Sequence, residues 1–414
     1  MNFCSKIIPK DNKGFYPLFD EFSYRLYDNV GSINSQEWEK VNQSRNIFLG
    51  VDYLKILENT NNEHYQYFYV TIFNKNEPIG ICFFQIVTLS ANLFGSILSN
   101  PSKKAKEENK DLFTKNPVGA KGYTLFKLLT LGNNFISGEH GFIFSERVRR
   151  ELQFELIEKM CKLMSLKGKL RGSISATLVK DFYPNSLPLE KNKLLESKFL
   201  PFSAEPNMEI EMPKNLESVQ DYVALFSKKY RNRTKNIFKA LNGVTKKEFT
   251  LDDIEQHHEK IYQLYLQVYE NAKFKLSKLG PDYFYQCKKI FGENFIVTGY
   301  LYHNILIGFS SAFNKRNEEF EAHFIGVDYE LNPQFELYQN ILYHFIDSAI
   351  RSKSKKLILG RTAAEIKSTT GAKGKELICY VKPENALSKI ILKQFIHHLQ
   401  PSEWIPRNPF KSNS

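Results

Sequence analysis

The feature that most constrains this chain is an internal echo. Phe68-Tyr-Val-Thr71, a polar turn and Pro78-Ile-Gly80-Ile-Cys-Phe-Phe84 read as a β-hairpin. Phe295-Ile-Val-Thr298, a turn and Leu306-Ile-Gly308-Phe-Ser-Ser311 read as the same hairpin in the second half. After each copy come more strand, a long amphipathic helix and another strand, in one order. A doubled α/β unit predicts two tandem domains, and 414 residues are enough for each to bury its own core. The second copy carries the richer polar clusters, so the site is expected mainly in the C-terminal half.

The first domain is expected over residues 1–213. It opens with a helix between Ser35 and Thr60, where Phe48, Leu49, Tyr53, Leu54, Ile56 and Leu57 suit packing on a sheet. The hairpin is followed by a strand near Phe94 to Leu98 and a Lys-rich surface loop over 101–121, before sheet-like text resumes at 124–130. A helix from about Ser145 to Leu166 leads into a strand at 173–179. The segment from Phe199 to Lys214 reads as a last strand and a crossover, with the boundary near Pro213. The second domain, 214–414, opens with helices over Leu216 to Leu241 and Asp252 to Glu270. Behind the second hairpin come a strand at 321–328 and a periodic helix carrying Tyr338, Ile341, Leu342, Phe345, Ile346 and Ala349. Strands at 356–360 and 376–382 complete it.

Composition narrows the function classes. Hydrophobic residues at 42% and charged residues at 25% describe a soluble globular protein, and an aromatic content of 14% fits large side chains filling sheet–helix interfaces. The net charge of +12 favours anionic partners: phosphorylated cofactors, RNA or an acidic membrane surface. Cys4, Cys82, Cys161, Cys287 and Cys379 show no CxxC spacing, which argues against a disulfide framework or zinc site and for a reducing cytosol. The opening MNFCSKIIPKDNKG has no apolar h-region, and no apolar run reaches membrane-spanning length, so a cytoplasmic protein is expected. No His-Glu-x-x-His, Gly-x-Gly-x-x-Gly after a strand, Gly-x-Ser-x-Gly or paired metal carboxylates occur, leaving metalloprotease, dehydrogenase and serine-hydrolase readings unsupported.

Four segments carry chemistry-bearing groups. Gly360-Arg361-Thr362 through Glu365, Lys367, Ser368, Thr369, Thr370 and Gly371 lies just past a buried strand, where open α/β sheets place ligands. Its cations, hydroxyls and glycines suit phosphate or carboxylate, and the competing reading is a polar strand-to-helix connection. His323, Asp328, Tyr329, Glu330, Glu336 and Tyr338 gather around the preceding strand, with Asp328 or His323 as a general base. Against this stand solvated loop carboxylates and a satisfied core histidine. Glu139 and His140 sit between Gly138 and Gly141 at the equivalent exit of the first half, as a binding loop or a glycine turn with a capping Glu. Lys228, Arg231, Lys235 and Lys239 share one face of a helix that also carries Arg233. This is either a polyanion contact or a charged face in water.

The order helix–hairpin–strand–helix–strand, with Phe48-Leu-Gly-Val-Asp-Tyr-Leu54, Gly138-Glu-His-Gly141, Lys228-Lys-Tyr-Arg-Asn-Arg-Thr-Lys-Asn236, Leu337-Tyr-Gln339, Leu359-Gly-Arg-Thr362 and Glu365-Ile-Lys-Ser368, resembles the doubled GNAT-type fold of Fem-like peptidoglycan amino-acid transferases. The resemblance implies an α/β fold of two tandem GNAT-like domains, each a mixed, mostly antiparallel sheet flanked by helices, in a bacterial protein. It implies acyl transfer from an acyl-CoA thioester to an amine, with acyl-CoA as co-substrate and no permanently bound cofactor. In that family the thioester lies in a splay between two parallel strands, a backbone N–H polarises the carbonyl, a base takes the amine proton and an acid, often Tyr, protonates the thiolate. Carried over, Asp328 or His323 is the base and Tyr338 the acid. Arg361, Thr362, Lys367, Ser368 and Thr369 bind donor or acceptor anions, Arg231 and Arg233 contact outer phosphates, and Glu139 and His140 bind substrate.

The stretch from Asp328 to Glu336 is acidic and lacks the family's glycine-rich pyrophosphate turn. Donor phosphates would then fall to Arg361, Lys367 and the hydroxyls of 368–370, or to the basic helix. Two alternatives stay open. One is a Fem-like transferase using an aminoacyl-tRNA donor and an amine-bearing small molecule or a cell-wall or lipid precursor as acceptor. The other is an inactive tandem module binding an anionic lipid or cell-wall precursor at an anionic surface.

Overall fold

The structure, a computed structural model, describes residues 14–43, 45–60, 65–89, 126–171, 174–188, 191–203, 205–272, 277–315, 318–386, 388, 389, 392, 396 and 404–411. The strand expected near Phe94 and the loop over 101–121 lie outside the described residues. The chain divides into two compact units, 1–204 with 377–400 and 205–376 with 401–414.

In chain order the first strands are β1 Tyr16–Phe19, β2 Phe22–Tyr27, β3 Tyr65–Asn74, β4 Glu77–Leu89, β5 Phe126–Leu131, β6 Phe142–Phe144, β7 Ala176–Phe182 and β8 Leu200–Ser203. They continue with β9 Asn207–Glu211, β10 Val244–Glu248, β11 Phe295–Tyr302, β12 Ile305–Lys315, β13 Glu319–Val327, β14 Lys356–Gly360, β15 Lys373–Lys375 and β16 Ile378–Pro383. The first unit's sheet runs β1-β2-β3-β4-β5-β7-β16-β8 with β6 beside β4, and the second unit's runs β10-β11-β12-β13-β14-β9-β15.

Both hairpins form where the repeated text places them, β3 on β4 and β11 on β12. Each sheet is otherwise mostly antiparallel, and among the described residues each has one parallel pair, β5–β7 and β13–β14. A parallel pair needs a long crossover. The helices Arg150–Arg171 and Leu337–Arg351 supply it. The second of these buries nine residues, among them Ile341, Leu342, Phe345 and Ile346. At about 1.5–3 kcal/mol for each large apolar side chain, this face is a principal anchor of its unit.

The structure corrects several boundaries. The segment 199–214 holds two strands in different sheets, because Pro206 has no N–H to continue a ladder and the chain turns there. Strand β16, expected to close the second domain, pairs between β7 and β8 in the first unit. There it buries Cys379, Tyr380 and Val381 and satisfies the open side of β7. The helix expected from Leu216 to Leu241 is two, Val219–Ala224 and Lys228–Ala240, separated where Phe226 bridges Phe410. The helix over 252–270 breaks at His257 into Leu251–Gln256 and His258–Asn271. The span from Ser35 to Thr60 is likewise two helices, with Trp38 Nε1 donating to Leu49 O at 2.7 Å across the turn between them. The Arg150–Arg171 helix starts later than expected, because Ser145 N donates to Ile79 O across to the hairpin and Val148 N donates to Ser145 O in a turn. No described helix is long and apolar enough to cross a membrane.

Candidate functional site

Strands β13 and β14 pair over three residues, Glu319, Phe320 and Glu321 with Lys356, Leu357 and Ile358. Strand β13 then runs on to Val327 while β14 ends at Gly360, so the parallel pair parts beyond Glu321. Strand β13 also carries a bulge in this stretch. Ala312 faces Ala322 and Ser310 faces Ile325, leaving Ser311 opposite both His323 and Phe324. The Ser311 hydroxyl fills the gap in the ladder, accepting from Phe324 N at 3.0 Å and donating to Phe324 O at 3.1 Å.

The bulge decides which way side chains point. Ala322 and Ile325, three apart, both pack in the cluster around the Leu337–Arg351 helix. His323 and Phe324 therefore both turn to the opposite face, against Tyr283, Phe284, Phe295 and Phe313. On that face His323 Nε2 lies 2.6 Å from the Tyr283 hydroxyl, with the two rings stacked. His323 is half-buried.

Two residues back along the same face lies Glu321, 5% exposed. Burial pushes its carboxyl up from 4.5 to about 7, with Glu319 and Glu209 adding to the rise and Lys315 opposing it. The Lys315 ammonium is 3.7 Å from Glu321 and 3.0 Å from Glu319, and is itself held above its ordinary value by these carboxylates. Glu209 on β9 accepts from Asn207 and faces Lys356 at 3.6 Å. A carboxyl that changes charge near neutrality, behind an imidazole–phenol pair at the mouth of a parallel splay, has the makings of an acid–base site. Sequence reading missed both Glu321 and Tyr283. The alternation of β13 hinted at Glu321, but the Tyr283 contact joins a helix to a strand and leaves no local signal.

The exit of β14 is arranged differently from expectation. Gly360, Thr362 and Ala363 have φ of +72°, +67° and +50°, a sharp left-handed turn that glycine alone takes without cost. Lys367 holds it. Its ammonium, 4% exposed, donates to the carbonyls of Leu359, Gly360 and Arg361 at 2.7, 3.2 and 2.6 Å. Burial drives it down to about 7, against the pull of Glu205. All three of its N–H groups are taken by main chain, so it caps a turn rather than facing a ligand. Ser368, Thr369 and Thr370 likewise donate to the carbonyls of Glu365, Ile366 and Lys367. In this polar run Thr362 and Glu365 are exposed and Arg361 is half-buried.

The other expected residues are placed as follows. Asp328 Oδ1 accepts from the N–H groups of Glu330 and Leu331, making it a turn former. Tyr338 packs with the cluster around its own helix, on the opposite face of the sheet from His323, and burial raises its phenol well above the ordinary value. The phenol beside His323 is therefore Tyr283. Arg231 Nη1 donates to Phe226 O at 2.6 Å, tying the helix to the preceding turn, while Arg233, Lys228, Lys235 and Lys239 are exposed. In the first unit, Glu139 accepts from the Ser186 hydroxyl and Tyr183 N, and burial raises its carboxyl against those contacts and Arg150. His140 is within hydrogen-bond distance of Asn46 and of Ser137 O. Glu139 thus ties the loop to the 183–186 segment, and His140 ties it to Asn46.

Two units, each with an antiparallel hairpin run, one parallel pair and a crossover helix, define a tandem α/β protein. Among solved structures the chain is similar to FemX, at 10% identity over 87% of this chain and 98% of that one, TM-score 0.49. It is also similar to a tandem GNAT protein from the clavulanic acid biosynthesis pathway, at 8% identity over 88% and 99%, TM-score 0.46. A third is L-PGS from Bacillus licheniformis, at 10% identity over 67% and 86%, TM-score 0.39. No family model and no curated protein matches the chain. These likenesses concern fold.

Proposed function

We propose that this chain is an acyltransferase that moves an acyl group from an activated thioester or ester to an amine, with its site at the parting of β13 and β14. The observation that carries this reading is His323. The bulge turns it to the face on which Glu321 is buried, and Tyr283 fixes its ring at 2.6 Å. In the step proposed, the amine nitrogen attacks the acyl carbonyl, a C–N bond forms and the bond to the donor sulfur or oxygen breaks. His323 takes the proton released by the attacking nitrogen, and Tyr283 orients the imidazole. The His323 imidazolium then passes that proton to the leaving thiolate or alkoxide, which restores the neutral ring. Glu321, behind His323, sets the local charge. Arg361 at the strand exit is the cation offered to the donor's anionic part, in place of the missing glycine turn.

An acyl-CoA panel with amine acceptors, followed by thiol release, tests this. Turnover that falls by about 10²–10⁴ in His323→Ala, with the fold intact, is the expected result. If no thioester releases thiol, the reading with acyl-CoA is wrong. A second reading has an observation in its favour: the exposed Lys228, Arg233, Lys235 and Lys239 on one helix suit the phosphates of an aminoacyl-tRNA donor. Salt-sensitive tRNA binding with aminoacyl transfer to a small amine or a cell-wall or lipid precursor would establish it. Anion binding without transfer of any group would leave a binding module.

A further inference from the structure

Strand β13 is held at both ends, and one residue between them is surplus. Toward its start, Glu319, Phe320 and Glu321 pair with β14, and Ala322 faces Ala312 on β12. Toward its end, Gly326 faces Phe309, where a Cβ would meet the Phe309 ring at 2.3 Å and the Leu264 main chain at 2.8 Å. Only glycine fits there, so this end of the strand cannot slip by a residue. Between the fixed ends, β12 steps from Ala312 to Ser310 while β13 runs from Ala322 to Ile325. His323 and Phe324 must therefore share the place opposite Ser311.

A bulge leaves main-chain groups that the ladder no longer pairs, and away from water they need another partner. Ser311, 1% exposed, supplies it from between Phe309 and Phe313, two fully buried rings on the same face of β12. Its hydroxyl accepts from Phe324 N at 3.0 Å and donates to Phe324 O at 3.1 Å. One hydroxyl can do both because it carries a donor and two lone pairs, whereas an alanine methyl can do neither. The Phe324 N–H belongs to the peptide plane that leaves His323. Fixing that plane fixes ψ of His323, and with it the direction in which the imidazole leaves the main chain. The outcome is the ring stack on Tyr283, with Nε2 2.6 Å from the phenol, and edge contacts to Phe313 and Phe324 at 5.0 and 4.5 Å.

We infer that Ser311 is the positioning residue of this site: its hydroxyl aims His323 at Tyr283, acting through the His323–Phe324 peptide and not through contact with substrate. The assignment rests on the reaction proposed above only in taking His323 as the base, and the geometry it describes needs no turnover. A hydroxyl is required at position 311. Neighbouring Ser310, 4% exposed and 3.4 Å from the Tyr300 hydroxyl on the other face of the sheet, has no such duty.

Ring-selective ¹³C labelling of His and Tyr in the deuterated full chain tests this by NMR. The sequence has 9 histidines, so His323→Gln and Tyr283→Phe are used to identify the two signals by their loss. The wild type should show an NOE between the His323 and Tyr283 rings, retained in Ser310→Ala and in Ser311→Thr, which keeps the hydroxyl. In Ser311→Ala the NOE should vanish or fall below half, with the other histidine signals and the far-UV circular dichroism unchanged. If Ser311→Ala does not fold, Ser311→Cys is read in the same way, its thiol being of similar size and a weak hydrogen-bonding group. An unchanged NOE in the variant without the hydroxyl, or its equal loss in Ser310→Ala, overturns the assignment. Where transfer is measured, kcat should fall by about 10–10²-fold in Ser311→Ala with KM within a few-fold, and should recover in Ser311→Thr. An unchanged kcat overturns the assignment as well. Absence of transfer by the wild type counts against the acyltransferase reading alone, since the ring contact still decides the role of Ser311.

Discussion

Replacing Glu321 by glutamine isolates a buried charge whose cost can be worked from its surroundings. In the folded chain the carboxyl holds its proton up to about pH 7, whereas an unfolded carboxyl releases it at 4.5. Between those values the folded state binds a proton that the unfolded state has lost, so stability falls as pH rises through this window. Below it both states are protonated, and above it neither is. Each pH unit is worth about 1.4 kcal/mol, so the window carries about 3 kcal/mol of destabilisation. Glu321→Gln removes that slope while keeping the shape, and Lys315 retains Glu319 as a partner at 3.0 Å. The reporter is at hand, since the chain has two tryptophans, Trp38 in the first unit and Trp404 in the second. In a Trp38→Phe background, urea unfolding followed by Trp404 fluorescence at pH 5 and pH 8 reads the second unit alone. Buried Lys367 and His344 in the same unit, held below their ordinary values, add a slope of opposite sign that both proteins share, so the difference is what reads Glu321: across that range the wild-type midpoint should fall by about 1 M or more relative to that of the Gln variant. The same slope in both proteins would refute the reasoning.

Three further outcomes follow from geometry. Lys367→Met leaves three strand-exit carbonyls without their donor and should destabilise the second unit by about 2–4 kcal/mol, read by the same Trp404 unfolding, whereas a solvent-facing anion ligand would cost little. Asp328→Ala should cost about 1 kcal/mol of stability through its lost turn contacts and leave turnover within a few-fold, since a general base would cost about 10²–10⁴. Gly326→Ala should be strongly destabilising, because the added Cβ would meet the Phe309 ring at 2.3 Å and the Leu264 main chain at 2.8 Å. Normal thermal stability in that variant would mean the packing between β13 and the His258–Asn271 helix is looser than described.

Local order was legible where periodicity and turn chemistry are local. The two hairpins, the strand Lys356–Gly360 and the amphipathic helix after Pro333 all follow from patterns a few residues long. The polar run from Arg361 to Thr370 looked like a ligand site because its residue types suit anions, yet most of those groups bond their own turn. Residue type reports capability, and only the fold reports whether the capability is spent. The same holds for Asp328, whose carboxylate accepts in a turn, and for Tyr338, whose phenol packs on the sheet face away from His323.

The sequence by itself determined that two α/β units stand in tandem, each built on a hairpin, because a repeated hydrophobic pattern specifies its own local structure wherever it occurs. Tertiary structure alone decided that β16 returns to the first unit's sheet, since that depends on which buried edge lacks a partner. It also decided that a single-residue bulge opposite Ser311 swings His323 to Tyr283 and the side of Glu321. Pairing across a sheet joins residues far apart in the chain, and no local pattern records the register that brings them together.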